Sequence, residues 1–221
     1  MRTSKKDFVY DALLKRLIVG EYQFGEEIRV SQVVSELGTS RQPVLAALNA
    51  FALDGFVEIV PQVGCRVIHP SEQDVSDFYI IFGRFERAMA ELGATRRTVQ
   101  QLNTLKELNR NIRELFKSGD LTTEEYRTRN RDFHRAMHQT ANSDLIDMYQ
   151  ARFFDMSDFF VGQTIGFRPH MSEALDEHEA VITGIEDKDS EKAGAAAEAH
   201  ISKVAQALLN WNKGAKRLSS V

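Results

Sequence analysis

Proline is spread so unevenly along this chain that it sets the architecture before any motif is read. Three of the four prolines, Pro43, Pro61 and Pro70, stand in the first seventy residues, and everything beyond holds only Pro169. A proline inside a helix costs about 3 kcal/mol. A long stretch without it, rich in Ala, Leu, Glu, Lys and Gln, therefore reads as a bundle of helices, because those side chains lose little entropy on becoming helical. The sequence divides at Pro70-Ser71, giving 1–70 and 71–221. Charge divides there too: the first part carries as many basic as acidic side chains, so the net charge of -4 belongs wholly to the second.

In the first part, Phe8, Leu13, Leu14, Leu17 and Ile18 recur at helical spacing up to Gly20. Val30 to Leu37 gives a second, short helix that Gly38 ends. Ser40 can cap a third, with Gln42-Pro43 in its first turn and Val44, Ala47, Leu48 and Phe51 on one face until Gly55. Two β-type runs follow, Phe56–Val60 and Cys65–Ile68, parted by the turn segment Pro61 to Gly64. Helix, helix, turn, helix, hairpin is the order of a winged helix-turn-helix. The second part reads as six helices, near 71–95, 98–118, 122–141, 143–163, 171–187 and 190–212, whose short polar connections make neighbours antiparallel. The fold expected is mainly α, a winged helix-turn-helix followed by an all-α bundle of six to seven helices.

A content of 43% hydrophobic and 27% charged residues is ordinary for a globular chain with a core. A net charge of -4 excludes a generic basic-tail polyanion binder, so any nucleic-acid contact must be local. The single cysteine, Cys65, excludes an internal disulfide framework and favours a reducing compartment. No run approaches the length of an apolar membrane span, and the first residues lack a secretory h-region. The expectation is a cytoplasmic protein with no membrane partner.

A helix-turn-helix reads DNA with the first residues of its second helix, here Ser40, Arg41 and Gln42. Arginine's planar fork matches guanine O6/N7, and Gln matches an adenine edge. Thr39, Ser40, Ser31 and Gln32 are candidates for phosphate contacts. The tip from Gln62 through Gly64 to Arg66 would follow the backbone or minor groove. Taken together, Gly20…Gly25, Leu37-Gly-Thr-Ser-Arg-Gln-Pro-Val44, Ala47-Leu48, Asp54-Gly-Phe-Val57 and Gly64-Cys-Arg-Val67 resemble the N-terminal domain of GntR-family bacterial transcription regulators. The resemblance implies double-stranded operator DNA as a partner, read by a homodimer. The chain departs from the family at Leu45-Ala46, where Arg-Glu is usual, which removes one charged DNA contact.

Five of the six histidines fall after residue 130: His134, His138, His170, His178 and His200. Residues four apart share a helix face, so Asn130, His134 and His138 form one stripe, while His178 and His200 each lie on a separate helix. Bundles build metal sites in this way, although exposed or core-bonded histidines would explain the same residues. Residues 71–213 in turn resemble the FCD effector-binding domain of the FadR subfamily, in its metal-binding, VanR-like members. The resemblance implies a divalent ion, zinc first with nickel or manganese as alternatives, held by His134, His178 and His200. Asn130 stands where the family has aspartate and would be a weaker, neutral ligand. His138 and His170 fall outside the family pattern and read as surface or loop residues.

A small-molecule effector is implied as well. In the FCD domains it resembles, an arginine one turn before a Leu-Glu pair often faces the effector cavity, and here the pair is Phe85-Glu86 and the arginine position is Phe82. Arg84, Arg127 and Arg131 are the other candidate effector contacts. With no paired general base beside the histidines, no nucleophile motif and no phosphate loop, the expectation is a regulator, most simply a repressor, and not an enzyme. The alternatives are a metal-dependent enzyme, or a protein-binding module whose winged helix no longer reads DNA. Cys65 in the wing reads as a structural thiol rather than a redox switch.

Overall fold

The computed structural model describes residues 4–60, 64–147 and 149–218, with the side chains of 144, 147 and 212–218 outside the description. Two compact units emerge. The first comprises the chain up to Ser71 together with Asp155–Thr164; the second comprises Glu72–Phe154 and the chain from Ile165 onward.

The first unit is a winged helix. Helix α1 (Lys5–Ile18) starts from a capping box in which Ser4 and Asp7 satisfy each other's backbone N–H groups. It buries Val9, Leu13, Leu17 and Ile18. Phe8, expected on that stripe, is 53% exposed; the buried register starts at Val9, four before Leu13. Helices α2 (Val30–Leu37) and α3 (Arg41–Asp54) end at Gly38 and Gly55, both left-handed with φ of 58° and 85°. Strands β1 (Glu27–Ile28), β2 (Val57–Val60) and β3 (Gly64–Val67) form an antiparallel sheet in the order β1-β3-β2. The hairpin was expected from the sequence; β1 is too short at two residues to leave a pattern.

The core of this unit is aromatic. Tyr10 stacks on Phe51 at 4.3 Å and donates through its hydroxyl to Asp54 at 2.8 Å. Phe56 meets both Phe51 and Phe159 edge-on at 5.5 Å, and Phe159 meets Phe24 at 5.3 Å. Phe159 comes from the segment 155–164, which the division at residue 70 had assigned elsewhere. That segment is fastened by its end: Gln163 Nε2 donates to the carbonyls of Leu17 and Tyr22, each at 2.7 Å. A Cβ on the neighbouring Gly162 would fall 1.8 Å from the Ile18 carbonyl oxygen, so only glycine permits the approach.

The second unit is all helix. It holds α4 (Glu72–Arg96), α5 (Val99–Ser118), α6 (Thr123–Thr140) and α7 (Asp144–Asp147). It also takes the first turn of α8 (Gln150–Gln163), the 3-10 turn Arg168–His170, α9 (Met171–Glu186) and α10 (Ser190–Leu218). Capping boxes at Thr98/Gln101 and Thr122/Glu125 fix the starts of α5 and α6. The helix expected at 143–163 is two, α7 and α8. Helix α4 packs on α6, α9 and α10, and α5 packs on α6 and α9. Met89, Leu105, Ile112, Phe133, Leu175, Ile182 and Ile185 fill the space between them. No helix among the described residues is long and apolar enough to cross a membrane.

Candidate functional site

The interior of the helical unit carries a polar cluster. His134 on α6, His178 on α9 and His200 on α10 turn inward, at 3%, 0% and 6% exposure. One ring nitrogen from each lies within 4.8 Å of the others. The ring centroids are 5.1 Å apart for His134–His178, 5.2 Å for His134–His200 and 4.9 Å for His178–His200. Three histidines from three helices cannot converge by local sequence; the packing of α6, α9 and α10 around α4 brings them together.

Two of these rings are held from behind. His134 donates through Nδ1 to Glu86 Oε2 at 2.8 Å, and His200 donates through Nδ1 to Glu177 Oε2 at 2.7 Å. Lys203 donates to the other oxygen of Glu177, also at 2.7 Å. A carboxylate on Nδ1 fixes the tautomer and leaves the lone pair on Nε2. His178 is held by stacking on Phe133 at 3.9 Å. Burial pushes the pKa of His178 well below that of an ordinary imidazole, with the charges of His200 and His134 adding to the effect. Burial lowers His134 too, against the opposing pull of Glu86. Both are therefore neutral near pH 7, the form in which imidazole ligates.

The atoms left over fit an ion. His134 Nε2, both ring nitrogens of His178 and Asn130 Oδ1 are buried without a hydrogen-bond partner, and buried polar atoms are rarely left so. Asn130 stands one turn before His134 on α6. Three imidazole nitrogens and an amide oxygen form a borderline donor set suited to zinc, nickel or a similar divalent ion. The residues present thus fit the group that the resemblance implied.

Glu86 was not among the expected site residues. It is fully buried, and its second oxygen accepts from His138 Nε2 at 2.5 Å. Burial pushes this carboxyl up, but its contacts with His138 and His134 outweigh that and hold it below the usual carboxylate range. The signal was present in the sequence. Glu86 interrupts a stripe of Val75, Tyr79, Phe82, Met89 and Ala90 on the buried face of α4, and an acid there needs a partner. His138, read as a surface residue, is 1% exposed and bound to Glu86; its one-turn spacing from His134 puts it on the same inward face. His170 is half-exposed in the 3-10 turn, 3.6 Å from Glu173, as expected.

The effector candidates separate. Phe82 is fully buried, stacked on Phe153 at 5.2 Å and edge-on to Phe154 at 5.0 Å. Phe154 in turn lies 4.7 Å from the His134 ring, so the aromatic cluster borders the histidines. Arg84 is 67% exposed and pairs with Glu198 at 3.1 Å, which takes it out of the interior. Arg127 and Arg131 are half-buried on α6, on either side of Asn130 in sequence.

In the winged unit, Ser40, Arg41 and Gln42 are exposed at the start of α3, while Val44, Ala47, Leu48 and Phe51 on its other face are buried. Ser40 occupies the N-cap position, but its side chain makes no capping bond, so hydroxyl and first-turn N–H groups remain available to an anion. Ser31 and Gln32 are exposed and Thr39 half-exposed. Gln32 donates to Glu36 at 2.8 Å, and Glu36 also pairs with Arg16. Gly64 and Arg66 are exposed on β3, and Gln62 lies outside the described residues. Strand alternation turns Cys65 inward to 5% exposure, where burial pushes its thiol up to about 11.

Comparison with known proteins points the same way. The FCD domain family matches residues 79–203, and the family described as bacterial regulatory proteins, gntR family, matches residues 5–67. A probable D-xylose utilization operon transcriptional repressor of Paenarthrobacter nicotinovorans is 23% identical over 216 residues, 96% of this chain and 92% of that protein. The transcriptional repressor GlaR of Escherichia coli is 21% identical over 203 residues, covering 87% and 90%. Among solved structures, E. coli McbR/YncC superposes with a TM-score of 0.75 at 19% identity, over 94% of this chain and 98% of that one. A GntR regulator of Rhodococcus sp. RHA1 gives 0.74 at 18%, over 94% and 99%. These structural likenesses speak for the fold.

Proposed function

We propose, for a chain that belongs to the GntR family of bacterial regulatory proteins and carries an FCD domain, that it is a one-component transcriptional repressor whose helical unit holds a divalent metal ion and binds a small metabolite. The winged unit would read a palindromic operator as a homodimer, since two recognition helices one DNA turn apart are what a palindrome selects. Arg41 and Gln42 would read base edges, and Ser31, Gln32, Thr39 and Ser40 would seat the domain on phosphates, with Gly64, Arg66 and Gln62 following the backbone or minor groove. The protein would act in the cytoplasm and perform no catalysis.

The observation that carries this reading is the convergence of His134, His178 and His200 inside the helical unit, with His134 Nε2, both ring nitrogens of His178 and Asn130 Oδ1 buried without partners. These four residues would hold the ion, zinc in first place and nickel or manganese as alternatives. Bound there, a divalent ion offers an open coordination position to an anionic or polar group of the metabolite. Phe82, Phe153 and Phe154 supply an aromatic border to that position, which favours an effector with an apolar body. Arg127 and Arg131 on α6 are the candidate cations for its charge. An effector acts on DNA binding only through its differential affinity for the DNA-competent and incompetent states.

The test is fluorescence anisotropy on DNA from immediately upstream of the protein's own gene, against a scrambled duplex at physiological salt, with metal content measured on the same sample. Selective binding by a protein carrying one ion per chain supports the reading. A His134→Ala/His178→Ala variant should lose the ion and melt earlier. Equal binding to both duplexes sinks the operator reading, and metal content unchanged in the variant sinks the metal site.

A further inference from the structure

Two of the three clustered histidines have a carboxylate behind them, and the third does not. His178 is fully buried, yet neither of its ring nitrogens is in a hydrogen bond. A second orphan lies on the helix that packs against α9: Asn109 on α5 is 1% exposed, and its Oδ1 has no donor. The orientation of that amide is fixed, because Nδ2 donates to the Leu175 carbonyl at 3.2 Å and to Glu179 Oε2 at 3.1 Å. Turning it over would set Oδ1 against those two oxygens. On α9 the same two anchors bracket His178, since residues three and four apart share a helix face and 175, 178 and 179 lie together.

We infer that Asn109 is the positioning residue of His178, its Oδ1 accepting the hydrogen of whichever ring nitrogen does not face the ion. A neutral imidazole has one lone pair and one N–H. Ligation uses the lone pair, so the other nitrogen must donate, and an amide oxygen that can only accept is the partner it requires. The bond forms directly when the ring turns, or across one buried water, which bridges such orphaned groups at ordinary cost. Asn109 then does for His178 what Glu86 does for His134 and Glu177 for His200. This inference rests on the metal reading given above.

The test uses the full chain with Asn109→Leu, which keeps the side-chain bulk and removes the acceptor. The Leu175 carbonyl still receives Arg113 at 2.8 Å, and Glu179 is exposed, so no other buried group is stranded. Zn2+ affinity is read by competition with a chromophoric chelator, and imidazole tautomers are read in the metal-free protein by long-range 1H–15N correlation. The expected results are a weakening of Zn2+ binding by about 10–100-fold, the usual effect of losing an outer partner, and a mixed tautomer at His178 alone. The double variant Asn109→Asp/Glu179→Gln presents a carboxylate to the ring and takes a donor from the new amide at position 179 on its other oxygen. The Leu175 carbonyl then faces that oxygen and lowers the melting temperature, but Zn2+ should bind at least as tightly as to the parent. An unchanged His178 tautomer in Asn109→Leu, or a lower melting temperature with Zn2+ affinity intact, overturns the inference. If Asn109→Leu does not fold, failure of the double variant to hold a single His178 tautomer overturns it instead. A parent protein that takes up no Zn2+ defeats the metal reading, and the tautomers then decide the role of Asn109 separately.

Discussion

Glu86 faces His134 and His138 at once, accepting from Nδ1 of the first at 2.8 Å and from Nε2 of the second at 2.5 Å. One buried carboxylate thereby orders two rings a helical turn apart, only one of which reaches the metal donors. Glu86→Gln keeps the shape but sets an N–H donor against a ring N–H donor. Metal affinity should fall by about 10–100-fold, and stability by about 1–3 kcal/mol for the unsatisfied group. Chelator competition and urea melts measure the two; affinity equal to the parent's would reduce Glu86 to a core hydrogen-bond partner.

Asn130→Asp converts the neutral oxygen donor beside the histidines into a charged one. The ion should bind more tightly, by about tenfold or more, because the set gains a formal charge. Without metal, the same change buries an uncompensated carboxylate and lowers the melting temperature. Thermal melts with and without Zn2+ should therefore spread further apart than for the parent protein. Parallel shifts in both conditions would place Asn130 outside the coordination sphere.

Burial pushes the Cys65 thiol from 9.0 up to about 11. The folded state keeps this proton through a range in which the unfolded chain loses it. The unfolded state then binds fewer protons, so stability is complete below pH 9 and declines as pH rises toward 11. At pH 8, reaction of the native protein with a disulfide reagent should be slow and limited by opening, and fast in urea. Rapid native labelling at pH 8 would restore the redox-switch reading that the inward-facing side chain removes.

Arg41 stands exposed at the first position of α3. Arg41→Ala should cost about 1–3 kcal/mol of discrimination at the base pair it reads. Leu45→Arg should strengthen binding to operator and scrambled duplexes alike, and steepen the salt dependence by about one ion. Anisotropy titrations at several salt concentrations separate the two effects. Arg41→Ala with an unchanged preference would move base reading elsewhere on the helix.

Local periodicity made α1, α3 and the hairpin legible, because each buries one face and ends at a residue that cannot continue it. His134, His178 and His200 were singled out by the likeness to the FCD domain, because spacing along separate helices left exposed or core-bonded roles equally open to them. Glu86 and His138 were not, because the meaning of each lies in the other. A buried acid and a buried histidine 52 positions apart satisfy one another only after α4 and α6 have packed. Strand β1 was invisible for a related reason: two residues carry no alternation, and its pairing with β3 is dictated by the partner. Phe8 misled because an aromatic one position out of register still fits a loose helical stripe.

The segment 155–164 has a consequence for how this protein can be taken apart or recombined. Phe159 and Gln163 complete the aromatic centre and the α1 end of the winged unit, yet they are encoded more than eighty codons after the wing. A gene fragment stopping at residue 71 would leave Phe24 and Phe56 without the ring between them and the Leu17 and Tyr22 carbonyls without their donor. The DNA-reading module is thus no interchangeable cassette. Grafting it onto another helical domain means carrying along a stretch of the original one.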